Sequence, residues 1–410
     1  MKPSSEPKRI VILDTGREWG GGTNSLLELL KRIDKEKFKF GAIFYRNYPK
    51  GTESDIRREL EKLGVEFFLV PPKKLPPKVK ILKELCRAGT FWLRPFRKDL
   101  LFLFDYHFRI RPQAEAIARI LKDFRADLLY MNNQPASNLE GVLAAEKVGI
   151  PAILHCRIAK RVPRIAIRKT NARVQRVICV SRGLRDFYVS RGLRADLCTV
   201  IYDGIDLSLR PRKEPGSLRQ RWGLFPEDFV LGTVCSLVKR KRVQDLLEAA
   251  YLVQRKTSVP IKILIVGEGP ERENLERLSQ RLGLSSRTLF TGFQSDPLSF
   301  IQTMDLFVFP SEKEGFGLVI LEAMLLGKPV IATRIPGPSE LVKDGETGFL
   351  VEPRQPKALA SAIMKFLQDR RLAQTMGEKG RKRVEQFDIR HYVSGVTRVF
   401  EEVLSCSMSS

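Results

Sequence analysis

The sequence predicts an α/β protein built from two doubly wound, Rossmann-like domains. Three observations carry that prediction. Short β-rich runs alternate with helical patterns along the whole chain, which is how parallel sheets with helical crossovers read. The 410 residues exceed the usual size of one hydrophobic core. A stretch rich in turn residues, prolines and charge, "DGIDLSLRPRKEPGSLRQRWG", divides two such alternating series.

In chain order, the first series predicts strands over residues 10–13, 38–45, 65–70, 128–131, 152–156 and 174–180. Helical patterns fall between them, for example over 24–33 and 113–121. The boundary lies between 197 and 224, giving a first domain of 1–200 and a second of 201–387. In the second, "FVLGTVCSL", "IKILIVG", "LFVFP" and "PVIAT" read as buried strands, with helical patterns such as "VQDLLEAAYLVQR" and "ENLERLSQRLG" among them. Beyond them, Tyr392, Val393, Val396, Val399, Phe400 and Val403 form an apolar stripe at helical spacing within 388–405.

Composition narrows the function. No apolar run approaches the about 20 residues that span a bilayer, and no signal-peptide core opens the chain, so a cytoplasmic protein is expected. The six cysteines are scattered without metal-ligand spacing and read as reduced packing residues. The net charge of +25 implies an anionic partner, and it is concentrated in the first half. Residues 147–185 contain no acid while carrying Arg157, Lys160, Arg161, Arg164, Arg168 and further cations. A second basic stretch, 73–111, interleaves its cations with Trp92 and phenylalanines, a pattern suited to an anionic membrane surface. Nucleic acid is the alternative that charge alone suggests, but no helix-turn-helix, zinc or RNA-binding signature accompanies it.

In open α/β sheets ligands bind at the carboxyl ends of strands, so the strand-to-helix loops are the places to inspect. Gly20, Gly21 and Gly22 follow the first strand and open a helix, which reads either as a permissive turn or as a loop that points its amides at an anion. Gly267 and Gly269 follow a strong strand, but Pro270 and Arg272 break the dinucleotide fingerprint. Lys239, Arg240, Lys241 and Arg242 sit between a buried strand and a helix. "SEKEGFGLVILEAMLLGKPVIA" (311–332) contains Glu314 and, eight positions on, Glu322 inside a helical run apolar on nearly all faces. Such a helix is normally buried, so Glu322 is expected to be a buried carboxylate with a partner in the protein or a ligand. A ligand with a phosphate for the helix N-terminus and a sugar diol for Glu322 would satisfy both features.

These residues resemble retaining glycosyltransferases of family 4. Glu314 and Glu322 reproduce the E-x7-E motif, and the likeness continues through "GPSELVKDGETGFLV", "VGEGPER", "LFTGF", "YDGID" and "VICVSRGLRDF". The resemblance implies the GT-B fold, two domains facing each other across a cleft, with a C-terminal helix crossing back to the first. It implies that Glu322 holds the ribose of a nucleotide-sugar donor and that Glu314 contacts the transferred sugar or its phosphate. The amides around Phe316, Gly317 and Leu318 would face sugar and diphosphate, Lys241 the diphosphate, and the Gly292–Phe293 loop the base, with Gly267 and Arg240 beside them. His155 matches a family histidine near the reacting centre, and Gly20 to Gly22 with Arg157 would meet the acceptor. Two departures stand out: Ser236 occupies the place of a customary arginine, for which Arg240 or Arg242 could substitute, and Asp203 replaces an asparagine.

The expected activity is transfer of a sugar, with retention and without a metal, from a nucleotide-sugar to a glycan or a lipid-linked or phosphorylated acceptor. No cofactor is expected, and no D-x-D triplet stands ready for a divalent ion. Cell-envelope polysaccharide or glycolipid synthesis at the inner face of a membrane fits the charge. The same fold could instead serve a sugar-nucleotide epimerase or a sugar-phosphate transferase.

Overall fold

The computed structural model describes residues 6–16, 19–89 and 101–406. Trp92, with residues 90–100 of the basic stretch 73–111, therefore lies outside the described residues. The chain divides into two units, one of 1–180, 185–201 and 393–410, the other of 181–184 and 202–392.

The first unit holds a parallel sheet of β1 (Lys8–Asp14), β2 (Phe38–Phe44), β3 (Glu66–Leu69), β4 (Leu128–Met131), β5 (Ala152–Cys156), β6 (Arg176–Cys179) and β7 (Cys198–Val200). Its spatial order is β3-β2-β1-β4-β5-β6-β7. β1 and β4 are nearly or fully buried along their cores (Ile10, Val11, Ile12, Leu128, Leu129), because crossover helices cover both faces. The predicted strands 128–131 and 152–156 match their observed bounds, and the others differ by one or two residues at one or both ends. The C-terminal helix, Ile389–Cys406, enters this unit from Val393 onward. Phe400 packs edge-on against Phe38 and Tyr130, so the apolar stripe seen in the sequence is spent on the first sheet's core.

The second unit repeats the plan with β8 (Phe229–Val234), β9 (Ile261–Val266), β10 (Thr288–Phe290), β11 (Leu306–Phe309), β12 (Val330–Thr333) and β13 (Gly348–Val351). The order is β10-β9-β8-β11-β12-β13. Both sheets thus reverse direction once, between β1 and β4 and between β8 and β11. At such a switch point the two flanking crossovers run to opposite sides, and the loops leave a crevice at the strands' carboxyl ends.

Candidate functional site

The second unit's switch point gathers the residues singled out by sequence. The loop leaving β8 carries Arg240 and Lys241, the loop leaving β11 carries Glu314, and Lys241 Nζ donates to Glu314 Oε2. Arg240 reaches the same oxygen at 3.4 Å. Lys241 is 9% exposed and lies 5.1 Å from the centre of the Phe309 ring. Burial pushes the Glu314 carboxyl up, but the charges of Lys241 and Arg240, with hydrogen bonds from Lys241 and the Gly315 amide, outweigh it and hold the group below its ordinary value. Arg242 is not part of this cluster. Its backbone adopts φ 51°, turning the chain into the helix Val243–Gln254, and its guanidinium pairs with Asp245 at 2.6 Å. Of the two arginines that could replace the one missing at Ser236, the structure brings Arg240 to the site.

Glycines let neighbouring loops approach. Gly267 has φ 138°, and a Cβ there would lie 1.9 Å from the Cys235 carbonyl oxygen. The β8 loop is fastened to it by Leu237 N–H to Glu268 O (2.8 Å) and Glu271 N–H to Leu237 O (2.9 Å). Gly267 N–H also donates to Gly292 O at 2.9 Å, joining the loop after β10, whose Phe293 is 43% exposed. The fragment that resembled a dinucleotide fingerprint is therefore a brace for the lysine-bearing loop.

Gly317 caps the helix Leu318–Leu325 with φ 109°. The amides of Phe316, Gly317 and Leu318 donate to no acceptor among the described residues, as the first amides of a helix do unless a cap or ligand accepts them. The Phe316 ring is elsewhere: it is buried and stacks on Tyr202 at 5.7 Å. Only its backbone is available to a ligand.

Glu322 corrects an expectation. The helix is not buried all round: Ile320, Leu321, Ala323 and Met324 are buried, whereas Leu318, Glu322, Leu325 and Leu326, spaced i, i+4, i+7 and i+8, form a half-buried stripe. Glu322 lies on that stripe and makes no hydrogen bond or ion pair with any described residue. Desolvation alone raises its pKa to about 7. A helix one residue past two turns with an apolar core face has room for such a stripe wherever no neighbouring element covers it.

The first unit's switch point holds a different group. Asp14 ends β1, is 3% exposed, and accepts from Asn132 Nδ2 (2.8 Å) and from the Gly16 amide (2.6 Å). Burial raises its pKa, against the pull of those hydrogen bonds and of Arg157. Asn132 Oδ1 in turn accepts from Arg157 Nε (3.0 Å) and from its second guanidinium nitrogen (2.9 Å). The Arg157 side chain lies beside Gly22, 3.6 Å from where a Cβ would stand. The helix Gly21–Arg32 starts there, and Gly20 faces open space. Asp14 and Asn132 were not singled out by sequence; their places at the ends of β1 and β4 were the signal available.

His155 is enclosed in the first sheet. It lies within β5, is 0% exposed, and its Nδ1 is 2.5 Å from the Tyr130 hydroxyl. Burial, and then Arg157, hold its pKa well below the ordinary histidine value, so the ring is neutral near pH 7. The ring is enclosed within its own sheet, two residues before Arg157 in the chain.

Residues 216–383 match the family model described as glycosyl transferases group 1, and residues 19–209 match the one described as Glycosyltransferase Family 4. Among curated relatives, an N-acetyl-alpha-D-glucosaminyl L-malate synthase of Bacillus anthracis is 35% identical over 50% of this chain and 53% of its own length. The capsular polysaccharide biosynthesis glycosyltransferase CapM of Staphylococcus aureus is 34% identical over 51% and 56%. The chain thus spans about half the length of these curated relatives. Among solved structures, Anabaena HepE in complex with UDP-glucose superposes with a TM-score of 0.77 at 23% identity, covering 96% of this chain and 99% of that one. A sucrose-phosphate synthase from Thermosynechococcus elongatus gives 0.73 at 21%, covering 97% and 100%. At these identities the likeness establishes the fold: a GT-B arrangement of two Rossmann-like sheets.

Proposed function

With a Glycosyltransferase Family 4 match over 19–209 and a glycosyl transferases group 1 match over 216–383, we infer that this GT-B chain is a nucleotide-sugar-dependent glycosyltransferase. The observation that carries the reading is Glu322, a carboxylate without a partner among the described residues, on the helix whose first amides are unengaged among them. A nucleotide-sugar answers both features: its ribose hydroxyls donate to Glu322 and its diphosphate accepts from the helix N-terminus.

In the proposed reaction the anomeric C–O bond to the diphosphate breaks as the acceptor hydroxyl oxygen bonds to the anomeric carbon on the same face. The departing diphosphate takes the electron pair and accepts the hydroxyl proton, so the configuration is retained. Negative charge grows on the leaving group, where Lys241, Arg240 and the amides around Gly317 are its stabilisers. In the donor-free protein Lys241 is occupied by Glu314. Donor binding shares that lysine between carboxylate and phosphate, and Glu314 turns toward the transferred sugar. Phe293 and the Gly267–Gly292 bridge flank the base. On the acceptor side, Arg157, fixed by Asn132 and Asp14, meets an anionic or hydroxyl-rich glycan beside Gly20, Gly21 and Gly22. His155 lies beside this group, two residues before Arg157 in the chain. The names of relatives in capsular and lipopolysaccharide synthesis favour an envelope glycan or lipid-linked acceptor.

A thermal-shift screen of nucleoside diphosphates and their sugars, with UDP and UDP-glucose first because HepE was solved with them, tests the reading. A melting temperature that rises for one nucleotide and its sugars supports it; no rise with any nucleotide counts against it. Product analysis then separates transfer from epimerisation or sugar-phosphate transfer. Transfer is expected to survive EDTA, because cationic side chains and amides carry the leaving-group charge; activity lost in chelator and restored by magnesium or manganese would overturn that point.

A further inference from the structure

Glycine at 317 permits the turn that opens the helix Leu318–Leu325, at φ 109°, but does not enforce it. What surrounds Phe316 and Gly317 therefore decides where their amides point. The loop after β12 presses on this segment: Gly337 has φ 88°, and a Cβ there would stand 2.5 Å from the Gly315 carbonyl oxygen. Leu341 is fully buried, with its Cδ1 3.8 Å from the place of a Gly317 Cβ. Between these two contacts the short helix Pro338–Leu341 carries Glu340, and both of its carboxylate oxygens are engaged. Oε1 accepts from the Gly183 amide at 2.9 Å, and Oε2 from the Arg182 amide and the Tyr202 hydroxyl, each at 2.9 Å. Arg383 holds the same turn, donating to the carbonyl oxygens of Glu340 (2.7 Å) and Leu341 (2.6 Å).

Tyr202 turns that anchorage into a constraint on Phe316. Its ring stacks on Phe316 and meets Phe387 edge-on, with centroids 5.7 Å and 5.6 Å apart. Phe387 also meets Phe316 edge-on at 5.9 Å, and the Arg383 guanidinium lies 5.7 Å from the Phe387 centre. Burial, then the hydrogen bond and charge of Glu340, push the Tyr202 hydroxyl up to about 12, so it stays a donor near neutral pH. The hydrogen bond to Glu340 thus fixes the direction of the ring as well as its place. We propose that Tyr202, tethered by Glu340, is a positioning residue that fixes Phe316 and so aims the amides of Phe316, Gly317 and Leu318 at the second phosphate of the donor. The role rests on the glycosyltransferase reading and deepens it. Lys241 and Arg240 bring charge to the leaving group, whereas Tyr202 sets neutral donors in place before the reaction, the preorganisation on which such stabilisation depends.

Titration of UDP and UMP into the native chain, Tyr202→Phe and Tyr202→Leu tests the role, with the base changed to whichever one the screen selects. The two nucleotides differ by the second phosphate alone. Tyr202→Leu should weaken UDP roughly 10-fold, the lower end for one hydrogen bond to a charged group, and leave UMP affinity unchanged. Its kcat should fall roughly 10- to 100-fold, because a misplaced donor is felt most where charge develops. Tyr202→Phe keeps the stack and loses only the tether, so it should fall between native and Tyr202→Leu. A packing role alone would lower the melting temperature of Tyr202→Leu and leave its UDP-to-UMP affinity ratio at the native value; that result overturns the proposal. Equal losses of UDP and UMP affinity overturn it as well. Should Tyr202→Leu fail to fold, Tyr202→Met, whose longer chain fills more of the space, decides by the same ratio. If the native chain binds no nucleoside diphosphate, the glycosyltransferase reading falls and this role with it; if it binds one and the ratio does not move, this role alone falls.

Discussion

Glu322→Gln is expected to weaken nucleotide binding roughly 10- to 150-fold without destabilising the free protein. The affinity loss corresponds to the about 1.5–3 kcal/mol of hydrogen bonds to a charged group. The stability half follows from the absence of a partner among the described residues. The pKa of this carboxyl is raised from 4.5 in the unfolded chain to about 7 in the fold. Between those values the folded state binds more protons than the unfolded one, so stability falls as pH rises from about 4.5 to about 7 and stays lower above it. Gln removes that loss. The variant should match the native protein near pH 4.5 and melt higher above pH 7, by at most about 3 kcal/mol, less where water reaches the carboxylate. Isothermal titration with the nucleotide found by screening, and melting curves across this pH range, make the measurement. A variant that melts far lower with undiminished nucleotide affinity would return Glu322 to a packing role.

Lys241→Met is expected to reduce kcat by about 10²- to 10³-fold, the usual cost of losing one preorganised group at the developing charge. It should also destabilise the fold by about 3–5 kcal/mol, because Glu314 loses its closest cation in a setting where the two side chains are 11% and 17% exposed. A double variant separates these effects. Lys241→Met with Glu314→Gln removes both charges, so stability should largely return while turnover stays low. If turnover returned together with stability, the pair would be structural alone. Glu314→Gln by itself should lower kcat more than it raises the donor KM, since its proposed contact is to the reacting sugar. That carboxyl sits below its ordinary value, so the stability it contributes is present above about pH 4.5 and is lost as pH falls through the folded pKa.

Much of the scaffold was legible because buried parallel strands leave a strong trace. Val11 and Ile12, or Leu128 and Leu129, are apolar on both faces, and that run survives in the sequence whatever surrounds it. The loops at strand ends were legible for the same reason, and with them Lys241, Glu314 and the helix opening at Gly317. His155 shows what a local pattern leaves out. A residue near a strand's end is closed in when a neighbouring strand runs level with it and a side chain reaches over it: Ile178 on β6 is the register partner of His155, and Tyr130 on β4, level with Ile153, brings its hydroxyl to the ring.

By itself the sequence determined the fold class, the run of strands and helices, the excess of positive charge, and which loops carry glycine, cation and carboxylate. These are local properties: periodicity, turn preference and residue type act over a few residues. Only the tertiary structure decided which distant residues meet. Lys241 and Glu314, 73 residues apart, touch because β8 and β11 are neighbours at the point where the sheet reverses. A left-handed backbone turn at Arg242 sends its side chain to Asp245 and leaves Arg240 to the site. Whether Glu322 was buried and paired, or half-open and unpaired, depended on which stripe of one short helix its neighbours covered. Coverage is a property of packed elements, and a single helix carries no record of what lies across from it.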